Sequence, residues 1–377
     1  MADMRGTYLD LIAVTGVMTA IYSFLLLLTW WHSEPANRKA QELNVWTLLP
    51  IMGLSQYFIA GYLFNMSQSP VRSILGMDAF IVAYLAMTAG PGIIAILLRL
   101  VKKKTPERVL KLKELQTYEQ ENKAEAIHRD LVRKISHIIQ FAAIFAIDFI
   151  GFAVATAFYG VDINQTLFRL DFWGYGTVKY LTFPWSLAEW GNINARVSTA
   201  RILLFDFFYC LFFVMLTSEL CRHSATWQYP FDTAVHKSIR RDEGGRIASY
   251  VLFPAGYLFA CMFLPYFAVI GILAGGCLGD LAASQVGMRW GRHCFPHQRK
   301  TWEGLVAGSV VTFLASFLFL GVIWAIVLVG CFIFVDFVTE KPIHMSDNLF
   351  FPLVGIIIFN LLTFLGIQIA PIIITMT

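Results

Sequence analysis

The stretch from Gly279 to Leu305, GDLAASQVGMRWGRHCFPHQRKTWEGL, lies between two strongly apolar runs. It holds one acid, widely spaced glycines, a basic run and then Lys-Thr-x-Glu-Gly. Apolar packing needs none of the charged groups, so the segment points to an anion held at a membrane boundary. Asp280 offers a carboxylate suited to Mg²⁺, which takes one or two protein carboxylates plus substrate phosphates; Ser284 stands one turn below it. Arg289, Arg292, Arg299 and Lys300 follow. Lys300 and Thr301 stand just before a helix start, where free N–H groups and the helix dipole favour phosphate. The G-x-x-x-x-G-K-[ST] pattern is absent, so a soluble-type P-loop is not implied. His293, Cys294 and His297 lack the second ligand pair that a zinc site needs.

Three further clusters carry charge. Arg133-Lys134-Ile135-Ser136-His137 opens an apolar run, and the spacing of Arg133 and His137 puts them on one helix face. Asp148 lies deeper in the same run, where an unpaired acid is expensive. Glu219 and Arg222 stand three apart at the end of another run, and RRDEGGR at 240–246 follows, with Arg241 and Glu243; both groups also read as structural pairs or a solvated charge belt. Last come Glu340, Lys341, Asp347 and Asn348, then Pro352. Asp347 and Asn348 read either as a helix N-cap or as metal ligands facing the same side as Asp280.

The elements that must position these groups are membrane helices. Of 377 residues, 57% are hydrophobic and 14% charged, against about a quarter charged in soluble domains. A helical span needs roughly 20 apolar residues. Apolar runs occupy about 8–31, 44–65, 77–101, 136–159, 198–220, 247–263, 265–287, 304–320, 322–338 and 350–374. Only Gly321 marks the split inside 304–338, and two spans are expected there. The fold class is therefore an all-α polytopic membrane protein of about 9–10 transmembrane helices with cytoplasmic catalytic loops. Residues 1–101 form an N-terminal three-helix region, 102–135 a basic helical linker and 136–377 a catalytic membrane domain. The Lys- and Arg-rich linker is placed in the cytoplasm by the positive-inside rule. Counting spans from it puts 221–246, 288–303 and Asp347 on the same side. The aromatic segment 160–197 falls outside and reads as an interfacial or re-entrant element rather than a span.

Gly271, Gly275, Gly279, Ala283, Gly287 and Gly291 recur every fourth residue, a stripe that lets helix backbones approach closely. None of the six cysteines forms a C-x-x-C pair, and they read as small hydrophobes in lipid-embedded helices. The net charge of +4 implies no nucleic-acid partner.

Taken in order, Arg133-Lys-x-x-His137, Glu219-x-x-Arg222, Arg241-x-Glu243 before FPAG, Gly279-Asp280-x-x-Ala283-Ser284-x-x-Gly287-x-x-x-Gly291, Lys300-Thr301-x-Glu303-Gly304 and Asp347-Asn348-x-x-x-Pro352 form a pattern. It resembles the CTP-dependent lipid-alcohol kinases, the group of dolichol kinase, phytol kinase and the yeast-type diacylglycerol kinase, over roughly residues 130 to 355. Glu219 stands where that pattern carries Asp. The resemblance implies CTP binding by Lys300, Thr301, Glu303 and Gly304 on the cytosolic side, and transfer of phosphate to the hydroxyl of a membrane lipid alcohol. On this reading Arg133, Lys134 and Lys300 neutralise the triphosphate. Asp280 and Asp347 hold Mg²⁺, Glu303 orients Lys300 or the metal shell, and His137 is the general base. Two other classes stay open. A phosphatidate cytidylyltransferase also joins CTP to a lipid. A transporter of an anionic solute would use Asp148, Asp206 and Arg201 along a path, but no inverted repeat is visible.

Overall fold

The structure is a computed structural model that describes residues 2–33, 38–66, 77–101, 123–159, 199–223, 227, 239, 243, 246–295, 300–339 and 345–366. They contain ten helices: α1 (Ala2–Trp31), α2 (Arg38–Met66), α3 (Met77–Val101), α4 (Lys123–Tyr159), α5 (Thr199–Arg222), α6 (Ser249–Phe263), α7 (Tyr266–Trp290), α8 (Trp302–Leu320), α9 (Val322–Val338) and α10 (Asp347–Phe364). No strand occurs among the described residues; an isolated antiparallel bridge joins Cys294 to Thr301. Four segments, Val82–Val101, Leu203–Arg222, Tyr266–Trp290 and Trp302–Leu320, are long and apolar enough to cross a membrane, and shorter apolar helices accompany them. The chain is an all-α membrane protein, as its composition requires.

Two compact units divide the chain: one of Met1–Glu119, Thr182–Ala195 and Phe208–Leu258, the other of Gln120–Leu181, Arg196–Phe207 and Phe259–Thr377. In the first, Tyr209, Phe212, Phe213 and Leu216 of α5 are fully buried, with the Tyr209 ring set edge-on to Tyr84 at 5.7 Å. A polar chain threads this apolar interior. The Tyr22 hydroxyl meets Thr217 Oγ1 at 2.7 Å, and the Thr88 hydroxyl meets that of Tyr209 at 2.7 Å. Gln56 donates to the same Tyr209 oxygen at 2.8 Å.

The second unit is built on α7 and α8, which pack antiparallel. The glycine stripe of α7 is the contact face. A Cβ on Gly275 would sit 3.0 Å from Thr312 Cγ2, and one on Gly287 would sit 2.8 Å from Thr301 Oγ1. α8 answers with its own small residues: a Cβ on Gly304 would lie 2.6 Å from the Ala283 carbonyl, and one on Gly308 2.8 Å from Ala283 Cβ. Thr312 donates to the Gly275 carbonyl at 3.1 Å, satisfying its hydroxyl inside the contact. The rest of α8 is inside-out relative to a soluble helix. Gly304, Gly308, Thr312 and Ser316 are buried while Val306, Val310, Leu314 and Leu318 are exposed. A lipid-facing helix needs that order, since lipid solvates aliphatic side chains and small or hydroxyl residues serve close packing.

Gly321 separates α8 from α9 with φ 81°, a left-handed conformation that glycine adopts without the Cβ clash. The chain reverses there. The last turn of α9 returns to the start of α8, where Lys300 meets Asp336, so 304–338 makes two helices and α10 begins on the side of the 293–301 loop. α4, at 37 residues, runs about 56 Å, longer than a bilayer core, as expected of a span with a helical extension.

Candidate active site

One end of the second unit gathers charge that the apolar helices would not tolerate singly. Lys134 of α4 is fully buried, and its ammonium pairs with the carboxylate of Asp280 on α7. Next to it in sequence, Arg133 donates to Asp130 at 2.8 Å. His137, 3% exposed, sits one helical turn on and lies in the fields of Lys134, Arg133, Asp347 and Asp130. Its backbone carbonyl faces Cys277 Sγ at 3.9 Å, which fixes α4 against α7 beside the ion pair.

The loop between α7 and α8 forms a short hairpin. The Phe295 N–H donates to the Lys300 carbonyl at 2.9 Å and the Trp302 N–H to that of His293 at 2.9 Å. Thr301 is the N-cap of α8, with its hydroxyl accepting from the Gly304 N–H at 3.2 Å. Glu303 in the first turn meets His293 Nδ1 at 2.7 Å; its carboxylate is thus held by the hairpin rather than aimed at Lys300. Lys300 instead crosses to α9 and donates to Asp336 Oδ1 at 2.5 Å. Asp336 in turn lies in the fields of Asp347 and Lys134. Asp347 opens α10 and accepts from the Asn348 N–H at 3.0 Å. Asn348 is 8% exposed, and among the described residues its Nδ2 meets no hydrogen-bond partner. A buried amide donor without a partner is costly, so this atom marks a place for an acceptor.

Arg133, Lys134, His137, Asp280, Lys300, Asp336, Asp347 and Asn348 thus belong to one unit and are linked by pairing, by field or by adjacency in the chain. Gly304 serves the α7–α8 contact. Glu219, Arg222 and Glu243 belong to the other unit. There the Glu219 carboxylate takes Arg222 Nε at 2.9 Å and Nη2 at 2.6 Å. It also accepts the Ala248 N–H at 3.0 Å and the Tyr250 hydroxyl at 2.5 Å. Arg222 reaches on to the Glu243 and Arg246 carbonyls at 3.2 and 2.8 Å. Arg241, Arg299, His297, Glu340, Lys341 and the segment 160–197 lie outside the described residues, as do the side chains of Asp148 and Arg201.

Asp336 is the residue that sequence reading passed over. It sits in VGCFIFVDFV, and an acid inside an apolar run is by itself a functional signal.

Two cations, Lys134 from α4 and Lys300 from the α7–α8 loop, face separate carboxylates. Among the described residues no group of three or more His, Cys, Asp or Glu forms a ready metal cage. Comparison with known proteins gives one short match: the chain is 46% identical over 59 residues to the phytol kinase of Synechocystis sp., covering 15% of this chain and 25% of that protein. The matched stretch is thus about a quarter of that relative's length. No family model matches, and neither does any solved structure.

Proposed function

We propose that the protein is a membrane kinase that moves the γ-phosphate of CTP to the hydroxyl of a lipid alcohol, at the cytoplasmic face of the bilayer. The observation that carries this reading is the pairing of Lys134 with Asp280 and of Lys300 with Asp336 at one end of a lipid-embedded bundle. Its support from similarity is the resemblance to a phytol kinase. Phosphoryl transfer asks for positioning and charge neutralisation more than covalent chemistry, and lysines held by carboxylates, Lys134 fully buried and Lys300 partly so, supply both.

Lys134, Lys300 and Arg133 neutralise the triphosphate. The Asn348 amide donates to one of its oxygens or to the base. Asp280 and Asp347 would hold Mg²⁺, an ion that needs only one or two carboxylates and completes its shell with water and phosphate oxygens. When bound, it would offset charge on the β- and γ-phosphates. The lipid hydroxyl oxygen bonds to the γ-phosphorus as the β–γ bridging bond breaks, CDP leaves with that electron pair, and the hydroxyl proton passes to His137. The small-residue α7–α8 seam keeps Asp280 and the start of α8 in fixed register. The basic linker 102–135 keeps this end in the cytoplasm by charge bias.

The test is purified full-length protein in lipid nanodiscs with Mg²⁺, a panel of nucleotides and a panel of prenols, phytol and diacylglycerol, read for phosphorylated lipid by mass spectrometry. A phosphorylated lipid with CTP is expected. No product from any pair, with anion flux in sealed vesicles instead, would overturn the reading.

A further inference from the structure

Lys300 is held from α9, not from its own loop. An ammonium has three N–H donors, and three acceptors meet this one: Asp336 Oδ1 at 2.5 Å, the Asp336 carbonyl at 3.2 Å and Thr339 Oγ1 at 3.2 Å. The carbonyl belongs to the last turn of α9, where helix carbonyls lack intrahelical partners and the dipole favours a cation. An aromatic cluster locks the two pieces together beside it. Phe295 stacks on Phe337 at 4.7 Å and 9°, and Trp302 sets its edge against both at 4.6 and 5.6 Å. Burying an acid is costly unless it is paired, and Asp336 stands in an apolar run with Lys300 as its partner.

We propose that Asp336 is the positioning residue of Lys300. Its carboxylate anchors the ammonium, while the two longer, neutral contacts, to the carbonyl and to Thr339, are those that a phosphate oxygen displaces. Charge-assisted bonds are shorter and about twice as strong as neutral ones, and the contacts at 3.2 Å sit at the long edge of the normal range. Ligand exchange therefore spares the anchor. The phosphate meets a lysine already aimed and only 21% exposed. This assignment of the exchanged ligand rests on the phosphotransfer reading above; the anchoring itself does not.

The experiment separates the two. Full-length protein in detergent is acetylated with an amine-reactive ester, and the rate at Lys300 is followed by peptide mass spectrometry, with and without CTP and Mg²⁺. Asp336→Asn should speed acetylation roughly tenfold, the worth of one hydrogen bond to a charged group, and should shift CTP protection to higher concentration by a similar factor. Asp336→Glu keeps the charge and should restore much of the protection. Thr339→Val removes only a displaceable contact and should leave the CTP midpoint within about threefold, as for a neutral bond. Equal acetylation in wild type and Asp336→Asn would overturn the anchor. So would failure of both Asp336→Asn and Asp336→Ser to fold while Asp336→Glu folds, since that marks a structural cap only. Faster labelling in Asp336→Asn without any CTP protection in wild type would uphold the anchor and bring down the nucleotide reading instead.

Discussion

Glu219 and Asp280 are both acids on apolar helices that face a basic side chain, yet the two sites are finished to different degrees. Glu219 is 1% exposed, and Asp280 is 22% exposed. A carboxylate has about four lone-pair positions. Glu219 fills them with a bidentate arginine, a backbone N–H and a tyrosine hydroxyl. Its partner Arg222 is spent on two backbone carbonyls besides. The result fixes the segment before α6 to the end of α5, and Gln41 adds to it by accepting the Ile247 N–H at 2.7 Å. Asp280 faces a lysine, a point charge with no fixed fork, and keeps an edge toward solvent. Planar, saturated pairs make joints; lysine pairs with an open edge can exchange ligands. The same residue types in a sequence motif can therefore mean opposite things.

Each side of this contrast can be broken. The largest effect should come from Asp280→Asn, which keeps shape and removes the charge on which the exchange depends. Turnover per folded molecule should drop by roughly 10²–10³-fold or more, the scale of losing one preorganised electrostatic contact; Lys134, fully buried, also loses its counter-charge, so the thermal midpoint in detergent should fall as well. Near-normal turnover would remove Asp280 from the chemistry. Glu219→Gln should act on stability alone. Leaving the Arg222 guanidinium buried without its counter-charge costs on the order of 3–5 kcal/mol, seen as a large fall in thermal midpoint and in folded yield. An unchanged midpoint would mean that the saturated clasp is not a structural joint.

A smaller effect is expected at the seam that holds the exchangeable side in register. In Gly308→Leu the new side chain starts 2.8 Å from Ala283 Cβ and from the Phe332 ring, and overpacking of this kind costs typically 1–3 kcal/mol. Gly330 has open space around it, so Gly330→Ala should fold normally and serves as the control. The least effect belongs to His293→Ala. His293 is 78% exposed on its side chain, and exposed pairs are worth about 0–1 kcal/mol. Stability should hardly move; a drop as large as that of Gly308→Leu would mean that the His293–Glu303 contact is a joint like Glu219's.

Much of the fold was legible because lipid-embedded helices announce themselves as apolar runs, and the runs read from the sequence correspond to the helices observed. Gly321 was the single mark of a break, and its positive φ is why the mark was reliable. The stripe from Gly271 to Gly291 named its own partner type, small residues on a close neighbour, though not that Gly304 and Gly308 would supply them. The site was legible in its members and less so in its pairings. Lys134 and Asp280 lie far apart along the chain, and no periodicity links them. Lys300 was expected beside Glu303 because they are neighbours in the motif, yet the hairpin turns Glu303 to His293 and sends Lys300 to α9. Asp336 escaped notice because the run before it, Cys331 to Val335, is apolar, and an acid in such a run is itself a functional signal.

The central claim, transfer of a terminal phosphate from a nucleotide to a neutral lipid, is tested most directly by the bond that breaks. Purified protein in nanodiscs with Mg²⁺ and a neutral lipid alcohol is given CTP labelled at the γ-phosphate in one reaction and at the α-phosphate in another. The account predicts label in the lipid fraction only from γ-labelled CTP, with CDP as the other product. Label entering the lipid from α-labelled CTP, with release of pyrophosphate and a requirement for a lipid that already carries phosphate, would contradict it and make the protein a cytidylyltransferase.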